Sequence, residues 1–379
     1  MLIRFHHMSA MIQLVEVLDV LRTVIEPESG RNIVRLGWVR DLRVEESGIR
    51  FTILLADPSI AFASEVSDAS RDALQATFGS DTNVAVDIDS EMIGMGMDHQ
   101  IAGQKNDIKP GDGVVNIIAV ASGKGGVGKS TVACNLSVAL AQAGYDVGLA
   151  DVDIYGPSIP TMFGIEDARP KVSDQRRIIP LEKYGVKLLS MGFLVDRDKA
   201  VIWRGPMVTS AVRQFLSDTD WGELDYLILD LPPGTGDIQL TIVQTVPLGG
   251  AVIVSTPQRV ALTDARKGVG MFDQVDVPVL GIIENMAYFT PPELPDKKYY
   301  LFGQGGAKAL ADELKIPFLG EIPLEQIIRE SGDAGTPAVT DPSLPVAAVF
   351  TELARSLVDR VEFRNATGPS TQKIEILHK

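Results

Sequence analysis

Residues 116–135, NIIAVASGKGGVGKSTVACN, constrain the fold of this chain more than any other stretch. An apolar run of strand length leads into the glycine-rich loop GKGGVGKS, Gly123 to Ser130, and the loop leads into the helical run STVACNLSVALAQAG. The loop satisfies G-x-x-x-x-G-K-[ST] in the strand, loop and helix setting that the motif requires. Its glycines let backbone N–H groups curl around phosphate, and the helix N-terminus adds a positive dipole. A loop of this kind sits at the carboxyl end of a strand in a helix-covered sheet, so an α/β fold is the expectation.

The text that follows keeps the same rhythm. YDVGLADVD, GVKLLSMGF, LDYLILDLP, GGAVIVSTP, VPVLGIIENM and IPFLGEIP are apolar runs, each separated from the next by a helix or long loop. Continuous apolar strands with helical crossovers predict a mostly parallel sheet covered by helices on both faces, the P-loop NTPase arrangement. PVAAVFTELARSLVDRVEF is a final packing helix. Ahead of this block the pattern differs. IQLVEVLDVLRTVIE has helical spacing and ends at the turn PESG; GWVRDLRVEESGIRFTILLA alternates as a hairpin; SEVSDASRDALQATFG is a second amphipathic helix and NVAVDID a closing strand. The expected organisation is a small α+β domain over 1–105, a polar Gly- and Pro-containing linker over 106–115, the NTPase domain over 116–363 and a tail over 364–379.

Composition narrows the function classes. No run approaches the roughly 18 unbroken apolar residues of a membrane span, and the opening residues show no signal-peptide regions, so the cytoplasm is the expected compartment. A net charge of -15 repels a polyphosphate backbone, and neither nucleic acid nor membrane is an expected partner. The single cysteine, Cys134, suits a reducing compartment and excludes an intrachain disulfide.

Within the loop, Lys129 is placed to reach the β and γ phosphates of a nucleotide and the Ser130 hydroxyl to ligate magnesium. Asp230 closes the apolar run YLIL and stands where a strand-end carboxylate holds that metal. Asp151 and Asp153 stand two residues apart at the tip of their strand, where one carboxylate can serve the metal and the other a water; as lone residues, strand-end aspartates also serve as helix caps or turn formers.

The leading lysine in KGGVGKST, Lys124, resembles the signature lysine of the deviant Walker A ATPases, the MinD, ParA and nitrogenase-iron-protein group. DVDIYGPSIP, MGFL, WRGPM, DYLILDLPPGTGD, GIIENMAYF, FGQGGA and IPLEQIIRESGDAGTP resemble the Mrp/ApbC branch, the iron-sulfur cluster carriers. PESGRNIVRLGWVRDLRV resembles the small iron-sulfur assembly-type domain often fused ahead of them. The resemblance implies a nucleotide-sandwich homodimer that binds and slowly hydrolyses ATP with magnesium and passes clusters to apo iron-sulfur proteins. By position it implies that Gly123, Lys124, Gly125, Gly126, Val127, Gly128, Lys129, Ser130 and Thr131 hold the phosphates. On the same resemblance Asp153 would orient the attacking water, and Lys124 and Lys129 would serve catalysis. Ser130, Asp151 and Asp230 would hold magnesium, Asn285 would read the adenine edge and the backbone after Pro323 would close over the base.

One departure is plain. Such carriers hold a C-x-x-C pair after ENM-x-Y-F, where this chain has Pro291, Pro292, Glu293 and Leu294; the small domain likewise reads LLADPSIAF where relatives carry a cysteine. Cys134, in the apolar pattern V-A-C-N-L, reads as core packing. His6, His7, His99 and His378 offer no ligand spacing, and Glu293 and Asp296 are poor ligands for a cluster that prefers thiolate. No iron-sulfur ligand is identified. Two further readings stand beside the carrier: an ATP-switched adaptor of cluster assembly that binds no cluster, and a MinD- or ParA-like positioning ATPase.

Overall fold

The computed structural model describes residues 13–45, 47–55, 62–90, 113–193 and 205–368. Most of the expected linker, residues 56–61 of LLADPSIAF, Trp203 and Arg204 of WRGPM, the tail from 369 and all four histidines lie outside them. The described residues divide into a small unit, 13–90 with 362–368, and a large unit, 113–361.

In the small unit the order is α1 (Leu14–Leu21), β1 (Val39–Glu45), β2 (Gly48–Leu55), α2 (Ala63–Phe78) and β3 (Val84–Ser90). β1 and β2 form the antiparallel pair that the alternation predicts, and β3 adds parallel to β2 after the α2 crossover. α1 stops at Leu21, sooner than the helical spacing suggests. Val24 turns inward to 4% exposure and its carbonyl accepts the Ile33 N–H, while the buried Glu26 carboxylate accepts the Glu28 and Ser29 amides at 2.6 Å each. A carboxylate that caps its own turn fixes PESG as a corner.

The large unit runs β4 (Val114–Ala121), α3 (Lys129–Gln142), β5 (Val147–Asp151), α4 (Ile159–Met162), β6 (Lys171–Val172), β7 (Ile178–Ile179), β8 (Leu181–Lys183), β9 (Val186–Ser190), α5 (Gly205–Ser217), β10 (Leu224–Asp230) and α6 (Asp237–Thr245). It continues through β11 (Gly250–Ser255), α7 (Arg259–Gln274), β12 (Val279–Glu284), α8 (Gly306–Leu314), β13 (Phe318–Glu321), α9 (Gln326–Asp333) and α10 (Pro345–Thr367). Among the described residues, eight strands pair in the order β13-β12-β11-β4-β10-β5-β9-β8, parallel except for β8 against β9. This is the mostly parallel α/β sheet that the apolar runs predict.

Both faces are buried, which is why the runs are unbroken. Ile118 and Val120 of β4 pack with α3 and α10, whereas Ile117, Ala119 and Ala121 pack with residues of α5, α6, α7 and α8. α3 is buried on all sides from Val132 to Leu140 because sheet and helices enclose it, with Asn135 and Ser137 hydrogen-bonded to backbone carbonyls.

α10 outruns its expected end. Residues 364–367, assigned to the tail on sequence, are helical, and Ala366, 1% exposed, joins the small unit's core. There the Arg22 Nε donates to Glu362 Oε2 at 2.8 Å, a pairing that no local pattern announces. No helix among the described residues is long and apolar enough to cross a membrane.

Candidate nucleotide-binding site

The carboxyl ends of β4, β5 and β10 meet in register, Asp230 opposite both Val120 and Asp151, so the loops that leave them converge. Backbone bonds tie these loops together: Gly234 N–H to Ser122 O at 2.9 Å, and Val152 N–H to Asp230 O at 3.1 Å.

The glycine-rich loop needs its glycines for two reasons. Gly126 and Gly128 take φ of 80° and 81°, the left-handed region. Gly123 lies so close to α7 that a Cβ there would stand 2.2 Å from the Asp264 carbonyl carbon. Val127 points its side chain into the core, 2% exposed, and its carbonyl accepts the Asn285 Nδ2–H at 2.8 Å. Gly125 and Gly126 are exposed. Lys124 is half-buried, and among the described residues its ammonium makes no hydrogen bond or ion pair.

Lys129 is 6% exposed and its Nζ lies 2.5 Å from Asp230 Oδ1 and 3.2 Å from Ser130 Oγ. The second oxygen of Asp230, Oδ2, is buried with no partner. Asp151 is fully buried and its oxygens are engaged: Oδ1 accepts the Asp153 amide at 3.1 Å, and Oδ2 accepts the Ile159 amide at 3.3 Å and the Ser190 hydroxyl at 2.9 Å. Burial pushes both carboxyls above the ordinary range, Asp151 to about 8 with the neighbouring Asp230 charge adding to the effect; Lys129 pulls each back down. Asp153 uses Oδ1 to accept the Tyr155 and Gly156 amides at 3.2 Å each, and it lines an open cleft of about 660 Å³ with Tyr155, Pro233 and Asp237.

A second cleft, about 610 Å³, opens beside Gly128 and Thr131 and is walled by Met162, Asn285, Met286 and Pro323. The Asn285 amide braces the loop through Val127, and its Oδ1 accepts the Met286 N–H at 2.9 Å. One Nδ2 proton and one Oδ1 lone pair remain for a ligand.

The segment Pro291–Leu294 lies in the β12–α8 loop, held by reciprocal Phe289 and Tyr299 backbone bonds of 2.8 Å, with Glu293 and Asp296 exposed. Cys134 is 1% exposed inside α3, and burial pushes its thiol well up. Some buried polar strand ends are not singled out by the sequence, two of them close to helix or loop amides. Ser190 ends β9 and Glu284 ends β12, where its Oε2 accepts the Ala307 N–H of α8 at 2.5 Å. The signal that singled out Asp230, a polar residue closing an apolar run, was present in LLS and GIIE as well.

Comparisons with known proteins show the same phosphate-loop NTPase class. A family model described as ParA: NUBPL iron-transfer P-loop NTPase matches residues 113–358, and one described as iron-sulfur cluster assembly protein matches residues 14–86. An iron-sulfur cluster carrier protein of Synechocystis sp. is 47% identical over 350 residues, 91% of this chain and 97% of that protein. The iron-sulfur cluster transfer protein NUBPL of Dictyostelium discoideum is 50% identical over 256 residues, 67% of this chain and 79% of its own length. Among solved structures, a nucleotide-binding protein in complex with ADP from Archaeoglobus fulgidus has a TM-score of 0.56 at 43% identity, covering 62% of this chain and 93% of that one. The chain belongs to the NUBPL iron-transfer P-loop NTPase family, its NTPase domain preceded by an iron-sulfur cluster assembly domain.

Proposed function

We propose that the chain is an ATP-hydrolysing homodimer of iron-sulfur cluster transfer, one that does not hold its cargo through a C-x-x-C pair. The observation that carries this reading is the pair of lysines on one phosphate loop. Lys129 is buried and committed to the strand-end aspartate, while Lys124 is unpaired among the described residues and free to act elsewhere. A second subunit's phosphates are the partner that its family resemblance implies.

The residues present suit magnesium. Asp230 Oδ2 is an orphaned buried carboxylate oxygen, and the Ser130 hydroxyl lies within 3.2 Å of Lys129 Nζ; both are hard oxygen donors. Ser130 and Asp230 would hold the ion, with Asp151 behind them, and bound magnesium would supply charge neutralisation at the phosphate oxygens. Lys129 gives the phosphates a desolvated positive charge, and the loop amides that the glycines leave uncovered add donors. Asp153, whose Oδ1 is fixed by two backbone amides, keeps Oδ2 for the water that attacks the γ phosphate. Thr131, Asn285 and Pro323 flank the cleft that would take the nucleoside.

Cluster transfer rests on family membership and on the assembly domain. With Cys134 buried, thiolate ligands would have to come from a partner protein. Without them the chain acts as an ATP-switched adaptor of assembly, the reading that the single buried thiol favours as runner-up. Two measurements decide. Magnesium-dependent ATP turnover should fall at least about tenfold in Lys124→Ala while ADP affinity holds, as expected for a group that acts in the transition state. Anaerobic reconstitution with iron and sulfide should leave the isolated chain without a stable cluster; one cluster per dimer would overturn the ligand argument.

A further inference from the structure

We propose that Ser190 is a positioning residue for hydrolysis, holding the Asp151 carboxylate so that the loop bearing Asp153 keeps one conformation. The inference rests on the ATPase reading above and extends it to a residue with no role in the nucleotide contacts.

β5 and β9 are parallel neighbours with Asp151 directly opposite Ser190, and both residues are fully buried. The Ser190 hydroxyl works in two directions. It donates to Asp151 Oδ2 at 2.9 Å and accepts the Gly192 N–H at 3.0 Å. Asp151 in turn accepts amides from both ends of the next loop, Asp153 through Oδ1 and Ile159 through Oδ2. One carboxylate therefore pins residues 153 and 159, and Ser190 is the only side chain among the described residues that donates a hydrogen bond to it in return. The Met191–Phe193 turn touches the same loop a second time, since a Cβ on Gly192 would meet Pro157 Cβ at 3.0 Å.

Without the hydroxyl, the Asp151 carboxylate faces the Asp230 charge with only two backbone donors to orient it. Its terminal torsion is broad, so two backbone donors alone hold it less firmly against rotation. Rotation releases one or both ends of the 153–159 loop, and Asp153 loses its aim. Misplacing a catalytic group by about 1 Å costs on the order of a hundredfold in rate.

The test compares wild type, Ser190→Ala, Ser190→Thr, Asp151→Asn and the Ser190→Ala/Asp151→Asn double variant, all as full chains. Ser190→Ala should lower kcat about tenfold, as expected for the loss of one buried hydrogen bond, with KM for ATP held within about threefold. The double variant should be no slower than Asp151→Asn, because Ser190 acts through that carboxylate. Ser190→Thr, which keeps the hydroxyl, should recover turnover. In the nucleotide-free protein, hydrogen–deuterium exchange of the peptide spanning 151–159 should rise in Ser190→Ala and return in Ser190→Thr.

Wild-type exchange and kcat in Ser190→Ala would overturn the proposal. So would losses that multiply in the double variant, or a global melting loss that tracks the fall in kcat. A wild-type chain with no magnesium-dependent turnover would refute the ATPase reading instead, and the exchange measurement would still decide whether Ser190 holds the loop.

Discussion

Replacing Gly128 by alanine should damage the phosphate loop through two separable effects. Gly128 is the N-cap of α3 with φ 81° and ψ 24°, so any Cβ there is strained by about 1–2 kcal/mol. The added Cβ would also lie 2.2 Å from Asn285 Nδ2, which is hydrogen-bonded to Val127 O at 2.8 Å. Asn285 is 7% exposed, and pushing its amide aside leaves a donor and an acceptor unpaired, a further ~1–3 kcal/mol. The sum is about 2–5 kcal/mol, and melting falls by about 2–4 °C per kcal/mol in a unit of this size. Thermal unfolding followed by near-ultraviolet circular dichroism, with and without magnesium and ADP, measures it. Asn285→Ala removes the collision but not the backbone strain. In that background Gly128→Ala should therefore cost only about 1–2 kcal/mol, a coupling that a double-mutant cycle resolves. A Gly128→Ala protein that melts within about 2 °C of wild type would refute the argument. An equal cost in both backgrounds would show that Asn285 does not brace the loop.

Cys134 should be silent to Ellman's reagent in the native protein at pH 8 and react once per chain in guanidinium, because burial raises its thiol pKa and shields it; rapid native reaction would contradict the packing. A chain ending at Val361 should lose the small unit's cooperative melting, because it removes the buried Glu362 that Arg22 pairs with and the buried Ala366; an unchanged small-unit transition in calorimetry would refute this. The nucleotide-free protein should lose stability as pH rises. Asp151 is raised from 3.8 to about 8 in the folded chain, so its contribution is complete below about pH 4 and is lost as pH passes through about 8. Asp151→Asn should flatten the fall in melting temperature between pH 6 and 8.5, and parallel slopes would show that another group titrates.

Much of this molecule is local in origin. The apolar runs read as strands because a parallel sheet with two covered faces tolerates no polar alternation, and Ile117, Ile118, Ala119 and Val120 are indeed all buried. The phosphate loop is legible for a related reason: its chemistry needs backbone, not distant partners, so glycine spacing and one lysine declare it. Where an element depends on a distant residue, the text misleads. Helical spacing carries α1 on toward Glu26, but Glu26 turns its carboxylate onto the Glu28 and Ser29 amides, and the helix ends at Leu21. NATG reads as tail, yet Ala366 is helical and buried, because the small unit's core extends to the end of α10.

The sequence by itself determined the alternation of strand and helix, the change of pattern between a small α+β region and a phosphate-loop region, and the presence of two lysines on that loop and one thiol. The tertiary structure alone decided which strands are neighbours, and with that which polar strand ends meet. Asp151 and Ser190 are 39 residues apart yet face each other because β5 pairs with β9; Lys129 and Asp230, 101 apart, meet because β4 pairs with β10. Strand order in a parallel sheet depends on how crossover helices pack, a sum over contacts distant in sequence, and no local pattern of residues encodes that sum.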